Sequence, residues 1–168
     1  MKIWKCIWRV NYFLFLIALL CSIFSCKNKN IDVNFDLDIL IDKEYNLCVT
    51  GNTNLPNETE LLLTLMDGET EEILGQTKTT VKENKLFFEP LCPDSIGIGN
   101  GKYKIQINLG LPTSQPKSVQ KIIGSNGEYL SGKYCFDVAS QKSIQYREFI
   151  DIDGSPLRTL ADRRNAKK

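Results

Sequence analysis

Residues 102–109 read Lys-Tyr-Lys-Ile-Gln-Ile-Asn-Leu, apolar at every second position without a fault. A period of two puts successive side chains on opposite faces of an extended chain. Tyr103, Ile105, Ile107 and Leu109 therefore share one face of a strand, and Lys102, Lys104, Gln106 and Asn108 share the other. Wrapped as a helix, the same residues would scatter their apolar groups around the axis and leave no face to bury. The rhythm recurs along the chain. Residues 31–41 carry Ile31, Val33, Phe35, Leu37, Ile39 and Ile41 against mostly Asp and Asn, broken only by Leu40. A regular strand of that length would run ~36 Å at about 3.3 Å per residue, so a bend or bulge is expected near Leu40.

Further strands are expected over residues 45–51, with Tyr45, Leu47 and Val49 in phase, and over 60–66, where Leu61, Leu63 and Leu65 alternate. Leu62 and Met66 are apolar too, which suits a central strand covered on both faces. The threonine-rich 73–81 suits a more exposed strand. Residues 85–89, 134–138 and 143–152 complete the set, the last with Ile144, Tyr146, Ile150 and Ile152 in phase. Turns fall at 52–57, at Asp67-Gly68, at 82–84, at 93–101 and at 124–132. One short helix is expected after Ser114 as cap, with Pro116 in its first turn. Val119, Ile122 and Ile123 would share its buried face, and Gly124 would end it. Seven or eight strands without a βαβ rhythm indicate an all-β fold, an antiparallel sandwich with Greek-key connections.

The first 26 residues stand apart. Lys2, Lys5 and Arg9 precede an apolar run of 13 residues, 12–24, interrupted only by Ser22. That length fits the core of a secretion signal and is short of the ~20 residues that span a bilayer. Ile23-Phe24-Ser25-Cys26 resembles the bacterial lipobox: an aliphatic residue at −3, a small one at −1, then cysteine. The resemblance implies a signal helix over 1–25 and a diacylglyceryl thioether on Cys26, with residues 26–30 as a polar tether. Several acyl chains hold a protein at a membrane where one does not. The alternatives are a free cysteine behind an ordinary signal, or an uncleaved anchor lengthened by Trp4 and Trp8 at the interface.

What remains after cleavage suits one domain, residues 31–154, followed by a tail, 155–168. The tail holds five basic residues and one acidic, whereas 26–154 hold 13 basic and 19 acidic. The exported part, with 18 basic residues against 20 acidic, gives no footprint for nucleic acid. The chain has no histidine, which removes Ser-His-Asp and Cys-His catalysis and imidazole zinc sites. No phosphate-binding glycine motif is present, and residues 97–101 read as turn glycines. Asp151-Ile-Asp153-Gly154 is only a fragment of a calcium loop. Asp32, Asp36 and Asp38 alternate on one strand face, which reads first as a solvated face. No cofactor or metal is expected. Cys48, Cys92 and Cys135 are an odd number of thiols in the exported part. One disulfide, with Cys92–Cys135 preferred, and three free thiols are both open readings.

A second resemblance covers residues 46–132. Val49-Thr50-Gly51-Asn52-Thr53-Asn54-Leu55-Pro56, Gly101-Lys102-Tyr103 and Gln115-Pro116-Lys117-Ser118-Val119, with Ile122-Ile123-Gly124, Asn126-Gly127-Glu128 and Leu130, resemble a group of uncharacterised bacterial envelope modules. These are immunoglobulin-like or transthyretin-like β-sandwiches, and the resemblance brings no activity. The reading is thus a lipid-anchored envelope protein with a binding or structural role and no enzymatic one. Its partner would be an envelope protein or glycan. The alternatives are a glycan-acting enzyme with paired carboxylates and an inhibitor or immunity protein of an envelope hydrolase. Binding would use loops at one end of the sandwich, through Asn52, Asn54, Asn57, Ile96, Ile98, Asn100, Asn126 and Glu128.

Overall fold

The computed structural model describes residues 30–93 and 97–153. Most of these residues are in strands: β1 (Ile31–Asp32), β2 (Phe35–Ile41), β3 (Leu47–Thr53), β4 (Glu60–Asp67), β5 (Ile73–Thr80), β6 (Lys85–Phe87), β7 (Gly101–Asn108), β8 (Leu130–Ser131), β9 (Cys135–Val138) and β10 (Gln141–Ile152). A 3₁₀ turn, Pro112–Ser114, leads into the single described helix, α1 (Lys117–Ile123). The order in the larger sheet is β5-β4-β7-β10-β9, and in the smaller β2-β3-β6. All neighbours in both are antiparallel. A two-residue parallel pair, β1 with β8, ties the start of the body to residues 130–131.

β7 is the middle strand of the larger sheet, and its alternation is used as the sequence indicates. Tyr103, Ile105, Ile107 and the following Leu109 are buried beside Leu61, Leu63 and Leu65 of β4. Leu47 and Val49 of β3 and Leu86 of β6 enter the same core from the smaller sheet, so one continuous apolar cluster joins the two. Phe35, Leu37, Ile39 and Ile41 pack on its margin. β5 is an edge strand and half exposed, as its threonines suggested.

Four local expectations are corrected. The long first strand breaks at Val33 and Asn34, and Leu40 keeps regular register opposite Cys48. The break is a change of partner. Val33 N–H donates to Ser131 O at 2.9 Å, and Thr53 Oγ1 donates to Asn34 O at 2.8 Å. Leu40 is simply an exposed apolar residue on the outer face. The bulge falls instead between β4 and β5, where Leu65 faces Gly75 and Met66 faces Ile73, leaving Leu74 without an opposite number. In α1 only Val119 and Ile123 are buried, and Ile122 is exposed. Residues four apart share a face, and position 122 lies about 100° away from 123. Ser114 closes the 3₁₀ turn by donating to Leu111 O at 2.7 Å, and the helix cap is Pro116. Finally, the expected 124–132 loop contains β8.

A candidate binding margin along β9 and β10

β10 is the longest strand because it serves two neighbours in turn. Gln141–Ile144 pair with β9 on one side, and Gln145–Ile152 pair with β7 on the other. Gln145 N–H donates to Tyr134 O at 2.8 Å, the last backbone bond toward β9. Past that point no described strand flanks β10 on the side away from β7. Backbone groups of successive residues point to opposite edges. Arg147, Phe149 and Asp151 therefore follow Gln145 in aiming N–H and C=O at the open edge.

Where β9 diverges from β10 there is a depression of about 340 Å³ lined by Lys133, Tyr134, Cys135, Phe136, Gln145 and Arg147. Lys133 Nζ stands 4.7 Å from the centre of the Tyr134 ring. Phe136 is exposed. The Cys135 thiol donates to Ser131 O at 3.1 Å, and burial pushes its pKa up. Behind this rim Phe35, Tyr134 and Tyr146 pack ring on ring, with centroids 5.3 to 5.6 Å apart. Tyr146 donates its hydroxyl to the Glu148 carboxylate. Burial first, and then that carboxylate, push the Tyr146 hydroxyl far above the ordinary phenol range. Glu148 sits opposite Ile105, on the inward side of β10. Alternation alone passes over it, because a carboxylate at an inward position is tolerated only with a donor such as Tyr146 beside it.

The residues singled out from the sequence divide between the two ends of the fold. Asn54 accepts from Asn34 N–H at 3.0 Å and donates to Asp32 O at 2.7 Å, so its carboxamide braces the partner change between β1 and β2. Lys142 N–H donates to Asn126 O at 2.8 Å. Asn52, Asn57, Asn126 and Glu128 are exposed, Asn52 within β3 itself. Backbone N–H groups, its own and that of Asn126, hold the Glu128 carboxyl below the usual range. Residues 97–101 are elsewhere: Ile98 N–H donates to Tyr45 O at 2.6 Å, beyond the other end of β3. Ile98 is fully buried in the core, which corrects its placement among binding residues, and Asn100 is half-buried. The loops therefore do not gather at one end. Ile96, Cys26 and the signal, tether and tail lie outside the described residues.

Cys48, Cys92 and Cys135 are free thiols, and the preferred Cys92–Cys135 pair is not formed. Cys92 follows Leu91, which bridges to Leu47 of the smaller sheet, whereas Cys135 lies in the edge strand of the larger one. Asp36 and Asp38 are exposed on β2 opposite Asn52 and Thr50.

No family model, curated protein or solved structure matches this chain.

The margin along β9 and β10 therefore stands on its own chemistry. Two cationic side chains, two aromatic rings and an amide line one shallow surface. Rings offer apolar faces for stacking, and a guanidinium offers a planar donor fork for carboxylate or phosphate.

Proposed function

We propose that this protein is a membrane-anchored envelope lipoprotein with a binding role, its body an antiparallel β-sandwich of immunoglobulin-like or transthyretin-like kind. The anchor reading rests on the Ile23-Phe24-Ser25-Cys26 motif behind a basic and apolar leader. One structural observation bears on where such an anchor would hold the body. Ile31 N–H already donates to Tyr129 O at 2.7 Å, five residues after Cys26, so the body is engaged almost at once. The five residues 26–30 reach at most about 18 Å, so the anchor would hold the body close to the bilayer.

The sandwich reading is supported by two antiparallel sheets that share one core. The binding reading is carried by the depression between Lys133, Tyr134, Phe136, Gln145 and Arg147. An acidic envelope glycan or an acidic protein segment matches that lining, with rings against apolar faces and the cations on its charges. The test is expression in bacteria fed an alkyne-tagged fatty acid, followed by fractionation. The chain should carry the label and sediment with membranes, and Cys26→Ala should lose both. Equal labelling and fractionation of the two chains would remove the anchor.

A further inference from the structure

An edge strand ordinarily carries a device that stops it pairing: a proline, a bulge, a lysine, an inward-pointing charge, or extreme shortness. The open stretch of β10, Tyr146-Arg-Glu-Phe-Ile-Asp-Ile152, has no proline, bulge or lysine, and its one inward charge, Glu148, is met within the strand by the Tyr146 hydroxyl. It is seven residues long, regular in register with β7 throughout, and rich in β-branched and aromatic side chains. Its charges are Arg147, Glu148 and Asp151, and their spacing is the informative feature.

We propose that this edge pairs with the same edge of a second copy, antiparallel and two-fold symmetric about Phe149, joining two five-stranded sheets into one. In that register Arg147 faces Asp151 of the second copy, and Asp151 faces its Arg147. Phe149 faces its own equivalent. Arg147, Phe149 and Asp151 are the residues whose backbone groups point outward, so the facing residues meet as hydrogen-bonded pairs, making about six inter-copy bonds. The register one step away would set Glu148 against Glu148, and the next Arg147 against Arg147. Like charges directly opposite one another destabilise a sheet, which disfavours both of these registers. The register about Ile150 would instead set Arg147 against Asp153, and the Asp151 swap and the Phe149→Cys cross-link distinguish it from the Phe149 register.

The side chains agree with the backbone. Phe149 is 66% exposed on the outer face, a large ring with water on most of its surface. Tyr146, Ile150 and Ile152, on the inner face, are only partly buried and pack at the margin of the core. The pairing would set Tyr146 against Ile152 of the second copy and cover both. A C₂ contact of this kind is self-complementary and closes at two copies. The proposal does not depend on the lipid anchor.

Two measurements on the full-length chain in mild detergent test it. In sedimentation across a concentration series the wild type should form a dimer. Arg147→Asp alone, or Asp151→Arg alone, places like charges at both facing pairs and should weaken association about tenfold or more. The double swap, Arg147→Asp with Asp151→Arg, should restore the dimer. Second, Phe149→Cys should form an intermolecular disulfide readily, because hydrogen-bonded facing residues have Cα atoms about 5.5 Å apart. Lys78→Cys, on the exposed face of the distant edge strand β5, is the control for random collision. A wild type that stays monomeric overturns the proposal. So does a dimer indifferent to single swaps, a double swap that fails to rescue, or Phe149→Cys cross-linking no better than Lys78→Cys.

Discussion

Lys104 Nζ lies 2.6 Å from Glu71 Oε1, joining the middle strand to the turn after β4. The lysine side chain is only 10% exposed, covered by its neighbours in the sheet, whereas the glutamate is 66% exposed. Lys104 lies opposite Met66 on one side and Phe149 on the other, and its ammonium is 5.9 Å from the Phe149 ring centre. An outward lysine, expected in water, is thus largely enclosed. Losing Glu71 strands a desolvated cation, whereas replacing the lysine by an apolar residue leaves only a solvated carboxylate. Glu71→Gln should therefore lower the melting temperature more than Lys104→Met, as thermal unfolding would show.

The same pair gives a pH dependence. The hydrogen bond from Lys104, its charge, and to a smaller degree Arg147 hold the Glu71 carboxyl below its ordinary value of 4.5. A carboxyl depressed in the folded state contributes stability that is complete above the unfolded value and is lost as pH falls through the folded one. The melting difference between wild type and Glu71→Gln should be level above about pH 5.5 and shrink steadily in more acid solution. A difference that grows on acidification would reverse the assignment.

Ile107 is wholly buried in the middle strand, between Leu63 and Tyr146. Truncating such a residue loses its transfer energy and leaves a cavity. Ile107→Ala should cost about 2–5 kcal/mol in urea unfolding, while Lys78→Ala on the exposed face of β5 should stay within about 0.5 kcal/mol. Near-equal midpoints for the two variants would remove β7 from the centre of the core.

Gly51 is required by the strand beside it. A Cβ there would lie 2.2 Å from Asp36 O and 2.9 Å from Leu37 Cα, both backbone atoms of β2. Neither can rotate away, so Gly51→Ala must push β2 off β3. A loss of about 1–3 kcal/mol is expected by chemical denaturation, the range for overpacking a tight contact. A stabilised variant would show that β2 yields freely.

The three thiols should differ in reactivity. Cys92 is exposed. Burial pushes the Cys135 thiol up, and burial together with Asp42 does the same to Cys48, whose Sγ lies 3.7 Å from Asp42 Oδ2. Only the thiolate is nucleophilic, so a raised pKa slows alkylation. Timed labelling at pH 8 with mass analysis should modify Cys92 first. Replacing all three by Ser or Ala should leave cooperative unfolding intact, because the described fold contains no bond between them. A triple variant that is unfolded would show that the thiols hold the domain together.

Much of the fold was legible in the sequence, and the readable part has a common cause. Which side of a strand a residue occupies is a local property with a period of two, so Tyr103, Ile105 and Ile107, or Leu61, Leu63 and Leu65, announce their burial without knowledge of what covers them. Turns at Asp67-Gly68 and 82–84 are likewise local, set by residues that tolerate tight backbone. The candidate site was scarcely legible. Glu148 interrupts an apolar phase, and that was its only signal; its donor, Tyr146, is two positions along the same face.

What the tertiary structure alone decided is pairing across long separations. Nothing near Val33 says that it will bond to Ser131, so the break in the first strand was invisible. Ile98 stands among turn glycines and became core because Tyr45 receives its N–H. Residues 97–101 and the 52–57 turn both read as loop from composition yet fall at opposite ends of β3, since position in a sheet depends on partners dozens of residues away. The open edge of β10 is the plainest case. Its alternation matches that of a covered strand, and only the place where β9 ends leaves Arg147, Phe149 and Asp151 facing outward, because hydrogen-bonding partners, unlike side-chain faces, are not written in a period of two.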